Sequence, residues 1–448
     1  MPRILTWLAS LAAPVLAALS LGVAPAAAET TVLRGVTLID GTGRSPLPDA
    51  ALVLRDGRIA WVGPTRALTV APGAEVIDLQ GKYVMPGLID LHTHVGITID
   101  MRQDIGNYTR DAVERELGVY AAYGVTTVQT LGTDRDSIFA LRAEQRAGRP
   151  TMARVFTAGQ GLVFKDGFGG VAGLNRPVAT PDEAARAVHE QANKGVDLIK
   201  LWVDDNLGAA PTMPPDVTLA AIQAAHARGL KVVAHVFYLA DAKRLVAQGV
   251  DGLAHMVRDQ PVDQDLIDAM KTRGVWQIAE ALARESAMFR LAEPEAYLDD
   301  AFFRRGASPA TLEVIGSPSR REAIRGGAHF HDYPEHLAMA QANARRLAAA
   351  GVKLGFGTDA GPPGRLGGYS AHEELALMVE AGFSPTQALT AATATAAAFL
   401  GAEDLGVLEA GRWGDIVVLD ADPTADILNT RKIHAVYIAG RRLTPRGE

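Results

Sequence analysis

The sequence predicts an α/β protein, a (β/α)8 barrel joined to a small β-sandwich built from both chain ends, and three observations carry that reading. Between residues 86 and 402, apolar strand-like runs alternate with amphipathic helical runs, the pattern of βα units and a parallel sheet. Both chain ends read instead as short strands punctuated by Gly-rich turns. Residues able to hold a metal or move a proton recur at one relative position, the C-terminal ends of the strand candidates, where such barrels build their sites.

At 448 residues, with 48% hydrophobic and 21% charged residues, the chain has ample material for a packed core and is not of disordered type. Its formal net charge of −7, with no basic cluster, argues against a nucleic-acid partner. Residues 1–28 form a separate element. Met1-Pro-Arg3 is a short positive start, Ile4 to Val23 is almost wholly apolar, and Ala24-Pro-Ala-Ala-Ala28 offers small residues for cleavage before Glu29. The expectation is a signal peptide and a periplasmic or secreted enzyme. An uncleaved anchor is the alternative, since the run is about long enough to span. With no Cys, lipidation of the leader and disulfides are both excluded. After cleavage no stable membrane insertion is expected; homo-oligomers remain possible.

Residues 29–85 carry strand candidates at Thr31–Ile39, Ala51–Leu54, Arg58–Val62 and Val76–Leu79. Asp415–Asp420 and Ile433–Ile438 repeat the texture, so 29–85 and 403–448 are expected to pack as one composite β-sandwich. Between them eight strands are expected: Tyr83–Thr93, Thr126–Leu131, Arg154–Ala158, Asp197–Val203, Lys231–Val236, Gly252–Met256, Gly274–Ile278 and Lys353–Gly357. Helical patterns such as Thr109–Tyr123, Pro181–Lys194, Asp216–Arg228, Leu239–Gln248 and Val262–Arg273 separate them. Two long connections, 158–180 and 280–338, read as walls or lids of a site.

The chemistry sits on the strand ends. Val84-Met-Pro-Gly-Leu-Ile-Asp-Leu-His-Thr-His-Val95 places His92 and His94 two residues apart, on one face of a strand. Imidazole is the commonest metal ligand. Lys200 lies inside the apolar run Leu198-Ile-Lys200-Leu-Trp, where an unpaired ammonium is costly to bury. His235, His255 and Asp359 end the fifth, sixth and eighth candidates. Singly, each has a structural alternative: a satisfied core histidine, a paired lysine, a capping aspartate. Together, the six share one end of strands 1, 4, 5, 6 and 8, which random core residues would not do. Around them, Tyr238, Arg258 and Gln277 are candidate substrate contacts, and Glu280 could line the cavity. His329-Phe-His331 sits in an irregular insertion and reads as surface loop.

This constellation resembles the amidohydrolase superfamily of metal-dependent hydrolases. The likeness extends from Pro86-Gly-Leu-Ile-Asp-Leu-His-Thr-His94 through Lys200, His235, His255 and Gly357-Thr-Asp359 to Gly406-Val-Leu-Glu-Ala-Gly-Arg-Trp-Gly-Asp-Ile-Val-Val-Leu-Asp420. It implies two divalent metal ions, zinc by ligand chemistry, with manganese, cobalt or iron as alternatives. His92, His94 and Asp359 would hold the more buried ion, His235 and His255 the more exposed one, and an N-carboxylated Lys200 would bridge them. A water shared by metals roughly 3.5–4 Å apart would then act as the nucleophile, with Asp359 as general base and acid.

The closest texture is the imidazolonepropionase-like and Xaa-Pro dipeptidase-like branch, through Gly195-Val-Asp-Leu-Ile-Lys200 and Ser384-Pro-Thr-Gln-Ala-Leu389. Two departures matter. Lys200 counts against imidazolonepropionase itself, which is thought to be mononuclear. The loop Gly169-Gly-Val-Ala-Gly173 lacks the histidine of the Gly-Gly-His-Gly turn seen in many dipeptidase-like members. The expected activity is hydrolysis of an amide, peptide or cyclic amide C–N bond in a small molecule. The alternatives are a lactone or organophosphate ester hydrolase using the same centre, and a non-catalytic binding protein that keeps the barrel.

Overall fold

The structure is a computed structural model describing residues 30–279 and 281–444; the expected leader at 1–28 and Glu280 lie outside the described residues. Its first strands are β1 (Thr30–Leu38), β2 (Leu47–Arg55), β3 (Arg58–Pro64), β4 (Glu75–Asp78) and β5 (Tyr83–Pro86). After β6 (Leu88–Thr93) and a small hairpin, β7 (Thr98–Ile99) and β8 (Arg102–Gln103), the chain alternates strand and helix. The order is α1 (Arg110–Ala122), β9 (Val125–Thr130), α2 (Ser137–Ala147), β10 (Arg154–Thr157), β11 (Leu162–Phe164), β12 (Arg176–Val178), α3 (Pro181–Lys194) and β13 (Leu198–Trp202). It continues with α4 (Pro215–His226), β14 (Lys231–His235), α5 (Leu239–Gln248), β15 (Gly252–Ala254), α6 (Gln264–Arg273) and β16 (Trp276–Ala279). The insertion holds α7 (Leu282–Arg290) and short helices, followed by the long helix Tyr333–Ala349; β17 (Ile416–Leu419), β18 (Ile433–Ile438) and β19 (Arg441–Arg442) end the fold.

Local chemistry explains the helix limits. The α3 helix opens with Thr180 accepting from the Glu183 amide and Pro181 in the first turn, and it stops at Gly195 with φ +83°. The α6 helix starts on the Asp263 carboxylate and ends at Gly274, also left-handed.

Both chain ends enter one eight-stranded sheet, joined where β17 pairs antiparallel with β5. The long apolar run predicted as a single strand is divided at Gly87: β5 belongs to the end sheet and β6 to the parallel strands. A Cβ on Gly87 would lie 2.0 Å from Thr126 Oγ1, so only glycine lets the chain pass that close. The end sheet has its own core of Leu33, Val36, Leu52, Leu54, Ile59, Val84, Ile416 and Val418. A buried, bidentate ion pair ties it to the rest. Arg154 of β10 donates from Nε to Asp415 at 2.7 Å and from NH2 at 3.2 Å, and Asp415 also accepts from the Ala439 amide. Asp415→Asn leaves that guanidinium buried without its charge partner and is expected to cost about 3–5 kcal/mol, read by urea unfolding.

The parallel strands pair in the order β10–β9–β6 and β11–β13–β14–β15–β16. Backbone bonds link the two groups, Asp197 N to Thr157 O at 2.9 Å on one side. On the other, segment 353–360 bonds both to β16 (Gly355 N to Gln277 O, 2.8 Å) and to β6 (Leu91 N to Phe356 O, 2.8 Å). Lys353–Gly357, predicted as an eighth strand, forms only one isolated parallel bridge, Gln277 with Leu354; a second, Thr93 with Ala360, lies just beyond it. Between the two bridges the backbone turns at Asp359, with φ +56°. Conversely, 158–180 holds β11 and β12 where only a glycine-rich loop was expected.

Candidate metal centre

Residue parity puts the side chains in place. Leu198, Val233, Ala254 and Ile278 pack with Ile89 and Leu91 in one apolar cluster between the strands. Two residues further along β13 and β14, on the same face, come Lys200 and His235. His255 has the opposite parity to Ala254. It joins the group because its backbone is left-handed, φ +67°, as is that of Asp359. Such strain in non-glycine residues costs of order 1–3 kcal/mol and gathers at functional sites.

His92, His94 and Asp359 converge, their ligand atoms lying within 4.8 Å of one another. Asp359 Oδ1 is 3.0 Å from His94 Nε2 and 3.5 Å from His92 Nε2, while Oδ2 is 3.9 Å from His255 Nε2. The His255 ring stacks at 4.8 Å from His92 and 4.1 Å from His235, so the four imidazoles are contiguous. Behind them, Thr133 Oγ1 is 2.9 Å from His94 Nδ1, and Asp204 Oδ2 is 2.6 Å from His235 Nε2. Asp90 accepts from the His92 amide and from Thr358, clamping β6 to segment 353–360.

Burial sets the protonation states. It holds His92 and His255 well below the usual imidazole range and pulls His235 down to about 4 despite the Asp204 hydrogen bond. The rings are therefore neutral at pH 7, the form that binds metal. Burial works against ionisation of Asp359, but the charge of Arg365 and the His94 hydrogen bond keep its carboxyl well below the ordinary value. Lys200 is 0% exposed, its Nζ has no hydrogen-bond partner, and burial lowers it to about 7.

Thus the structure groups His92, His94 and Asp359, sets the His255 and His235 rings beside them, and buries Lys200 within electrostatic reach of His92, His235 and Asp359. The predicted substrate contacts fare differently. Gln277 donates its amide to the Leu253 and His255 carbonyls, at 3.2 and 2.7 Å, so it props up the end of β15 instead of facing a cavity. Arg258 is 2% exposed, paired with Glu285 at 3.0 Å and bonded to the Val236 and Met256 carbonyls, which makes it a buried brace. Tyr238 is half-buried and donates to Asp205 at 2.9 Å. His329 pairs with Asp332 on the surface, as its loop setting implied.

The sequence reading missed Asp204, Arg284 and Arg365. Asp204 had a signal, lying four residues past Lys200 at the end of β13. Arg284 (in α7) and Arg365 (in the run Gly361-Pro-Pro-Gly-Arg365) had none, because neither the insertion that holds α7 nor the loop after segment 353–360 carries a strand pattern that would place them. Arg365 also borders a cavity of about 480 Å3, walled by Ile99, Met101, Val119, Phe303 and Ile315.

A buried cluster of neutral imidazoles and one carboxylate at the ends of parallel strands defines a metal-site protein of α/β type. The chain belongs to the amidohydrolase family, whose profile matches residues 83–443. It is 29% identical over 421 residues to an imidazolonepropionase of Aromatoleum aromaticum, covering 90% of this chain and 93% of that one. Among solved structures it is similar to molinate hydrolase (25% identity, TM-score 0.71, covering 94% of this chain and 96% of the other). A Xaa-Pro dipeptidase with bound methionine shares the fold, at 22% identity and TM-score 0.72, over 92% of this chain and 99% of the other. No helix among the described residues is long and apolar enough to cross a membrane.

Proposed function

We propose that this protein is an exported hydrolase of an amide, peptide or cyclic amide C–N bond, working with two divalent metal ions, zinc by its nitrogen and oxygen ligands. The single observation that carries the binuclear reading is Lys200, a fully buried amine without a partner among His92, His235, His255 and Asp359. A neutral amine can add CO2 with release of one proton, becoming a carbamate with two donor oxygens. That change replaces a buried ammonium and would supply a ligand able to reach two ions.

In this reading His92, His94 and Asp359 would hold the more buried ion, and His235 and His255 the more exposed one. When bound, the ions lower the pKa of a water and polarise the scissile carbonyl. The chain's own groups do the rest. Asp204 fixes the His235 ring through Nε2 and leaves Nδ1 to donate. Thr133 holds the His94 ring through Nδ1. Asp359 takes a proton from the attacking water and returns it to the leaving amine, so amide and water become carboxylate and ammonium. In the same reading the segment expected as 86–402 is a closed (β/α)8 barrel, supported by the bonds from segment 353–360 to β6 and β16, and the two chain ends form a composite domain whose described strands share one sheet.

Metal analysis tests the centre. Protein loaded with zinc in bicarbonate is expected to hold close to two ions per chain and to hydrolyse members of an amide panel. One ion or fewer overturns the binuclear reading, and esters turned over without amides would overturn the bond assignment. Export rests on the composition of residues 1–28. Expression in a Gram-negative host should yield a periplasmic protein beginning at Glu29; an intact Met1 on membrane-bound protein would refute cleavage.

A further inference from the structure

Two guanidinium groups close on one carboxylate oxygen beside the proposed centre. Arg365 donates from NH1 to Asp359 Oδ2, and Arg284 Nε lies 4.0 Å from the same atom. Neither is on the surface, their side chains being 15% and 16% exposed. Other anions nearby are already shared. Glu285 Oε1 is 2.6 Å from Arg284 and 3.0 Å from Arg258, one carboxylate between two guanidiniums. Asp204 bonds His235 and also acts on Arg258. Arg258 therefore lies between Glu285 and Asp204, while Arg284 and Arg365 meet at Asp359. Tyr333 and His336, the other polar groups acting on Arg284 and Glu285, bring no further negative charge at pH 7.

A metal-ligand role would draw the charge of Asp359 away from Arg284 and Arg365, leaving them Glu285, which Arg258 also shares. A buried guanidinium without an anion is costly, and its planar fork matches a carboxylate in two parallel hydrogen bonds. Arg284 follows β16 and Arg365 follows segment 353–360, so both approach the reacting end of the strands from one side.

We propose that Arg284 and Arg365 form a clamp for a carboxylate on the substrate, one that takes over the role Asp359 Oδ2 plays in the metal-free chain. The substrate is then an amide that bears a free carboxylate close to the scissile bond, and these two arginines determine that specificity. The proposal rests on the hydrolase reading above for its substrate, but not for its binding test.

That test uses zinc-loaded mature protein and a pair of probes with no hydrolysable bond, N-benzyl-L-alanine and N-benzyl-L-alaninol, titrated by calorimetry. Hydrogen bonds to charged groups predict that wild type binds the acid about tenfold or more tighter than the alcohol. Arg284→Met and Arg365→Met should each bring that ratio toward one. Arg284→Lys and Arg365→Lys, which keep the charge and lose the fork, should fall between and serve if the methionine variants do not fold. Equal affinity for the two probes overturns the clamp. So does an acid preference that persists in all four variants, since the metal ions alone would then be holding the carboxylate. A chain that hydrolyses amides without acid preference loses the clamp and keeps the hydrolase reading. A chain with the arginine-dependent preference and no amide turnover does the reverse.

Discussion

Asp359→Asn is expected to lower kcat on any amide substrate by about 10²–10⁴-fold, the range for removing a general acid–base group. Asparagine preserves the shape and keeps an oxygen that can face His92 and His94, where Asp359 Oδ1 lies 3.5 and 3.0 Å away. It cannot accept the proton. The loss should fall on kcat more than on KM, because the group acts in the transition state. Zinc content measured on the same sample separates the two roles of this residue. Full metal with a large kcat loss supports proton transfer. Full metal with unchanged kcat removes Asp359 from the chemistry. The substitution also strips Arg365 and Arg284 of a buried counter-charge, so the metal-free variant should unfold more readily than metal-free wild type.

Lys200→Met is expected to abolish binding of the second metal ion and, in the metal-free protein, to raise stability. Methionine fills the same volume without bringing an ammonium into an apolar strand. The pH dependence gives the sign. The folded amine titrates near 7 and the unfolded one at the ordinary 10.5. Between those values the unfolded chain binds more protons than the folded one, so wild-type stability rises with pH across this window. Below 7 both states are charged and the penalty is complete. Metal-free Lys200→Met should therefore exceed metal-free wild type most at pH 6, with the gap closing as pH climbs from 7 to 10.5. Thermal unfolding followed by circular dichroism at pH 6, 8 and 10 measures this. A gap that does not narrow would assign the penalty to something other than the Lys200 charge, and unchanged zinc content would remove its bridging role.

Much of this centre was legible in the chain because strand geometry is periodic. A two-residue repeat on β13 and β14 places Lys200 above Leu198 and His235 above Val233, so reading the strands is enough to read the ligands. The same logic fails at His255 and Asp359, whose left-handed backbones break the repeat. They were found by residue type at strand ends, not by parity. It fails again for Gln277 and Arg258. Both stand beside the right strand ends, yet backbone carbonyls and Glu285 claim their polar groups. A sequence does not reveal which hydrogen-bonding demand a polar side chain will meet, because its partners come from strands and helices far away in the chain.

By itself, then, the sequence marked six candidate ligands and the strand character of both chain ends, through residue type at strand ends, strand periodicity and turn chemistry. Only the tertiary structure decided the charge around those candidates. Asp204, Arg284 and Arg365 reach them from segments whose course is set by packing, and the meeting of Arg284 and Arg365 at Asp359 exists only once those segments come together.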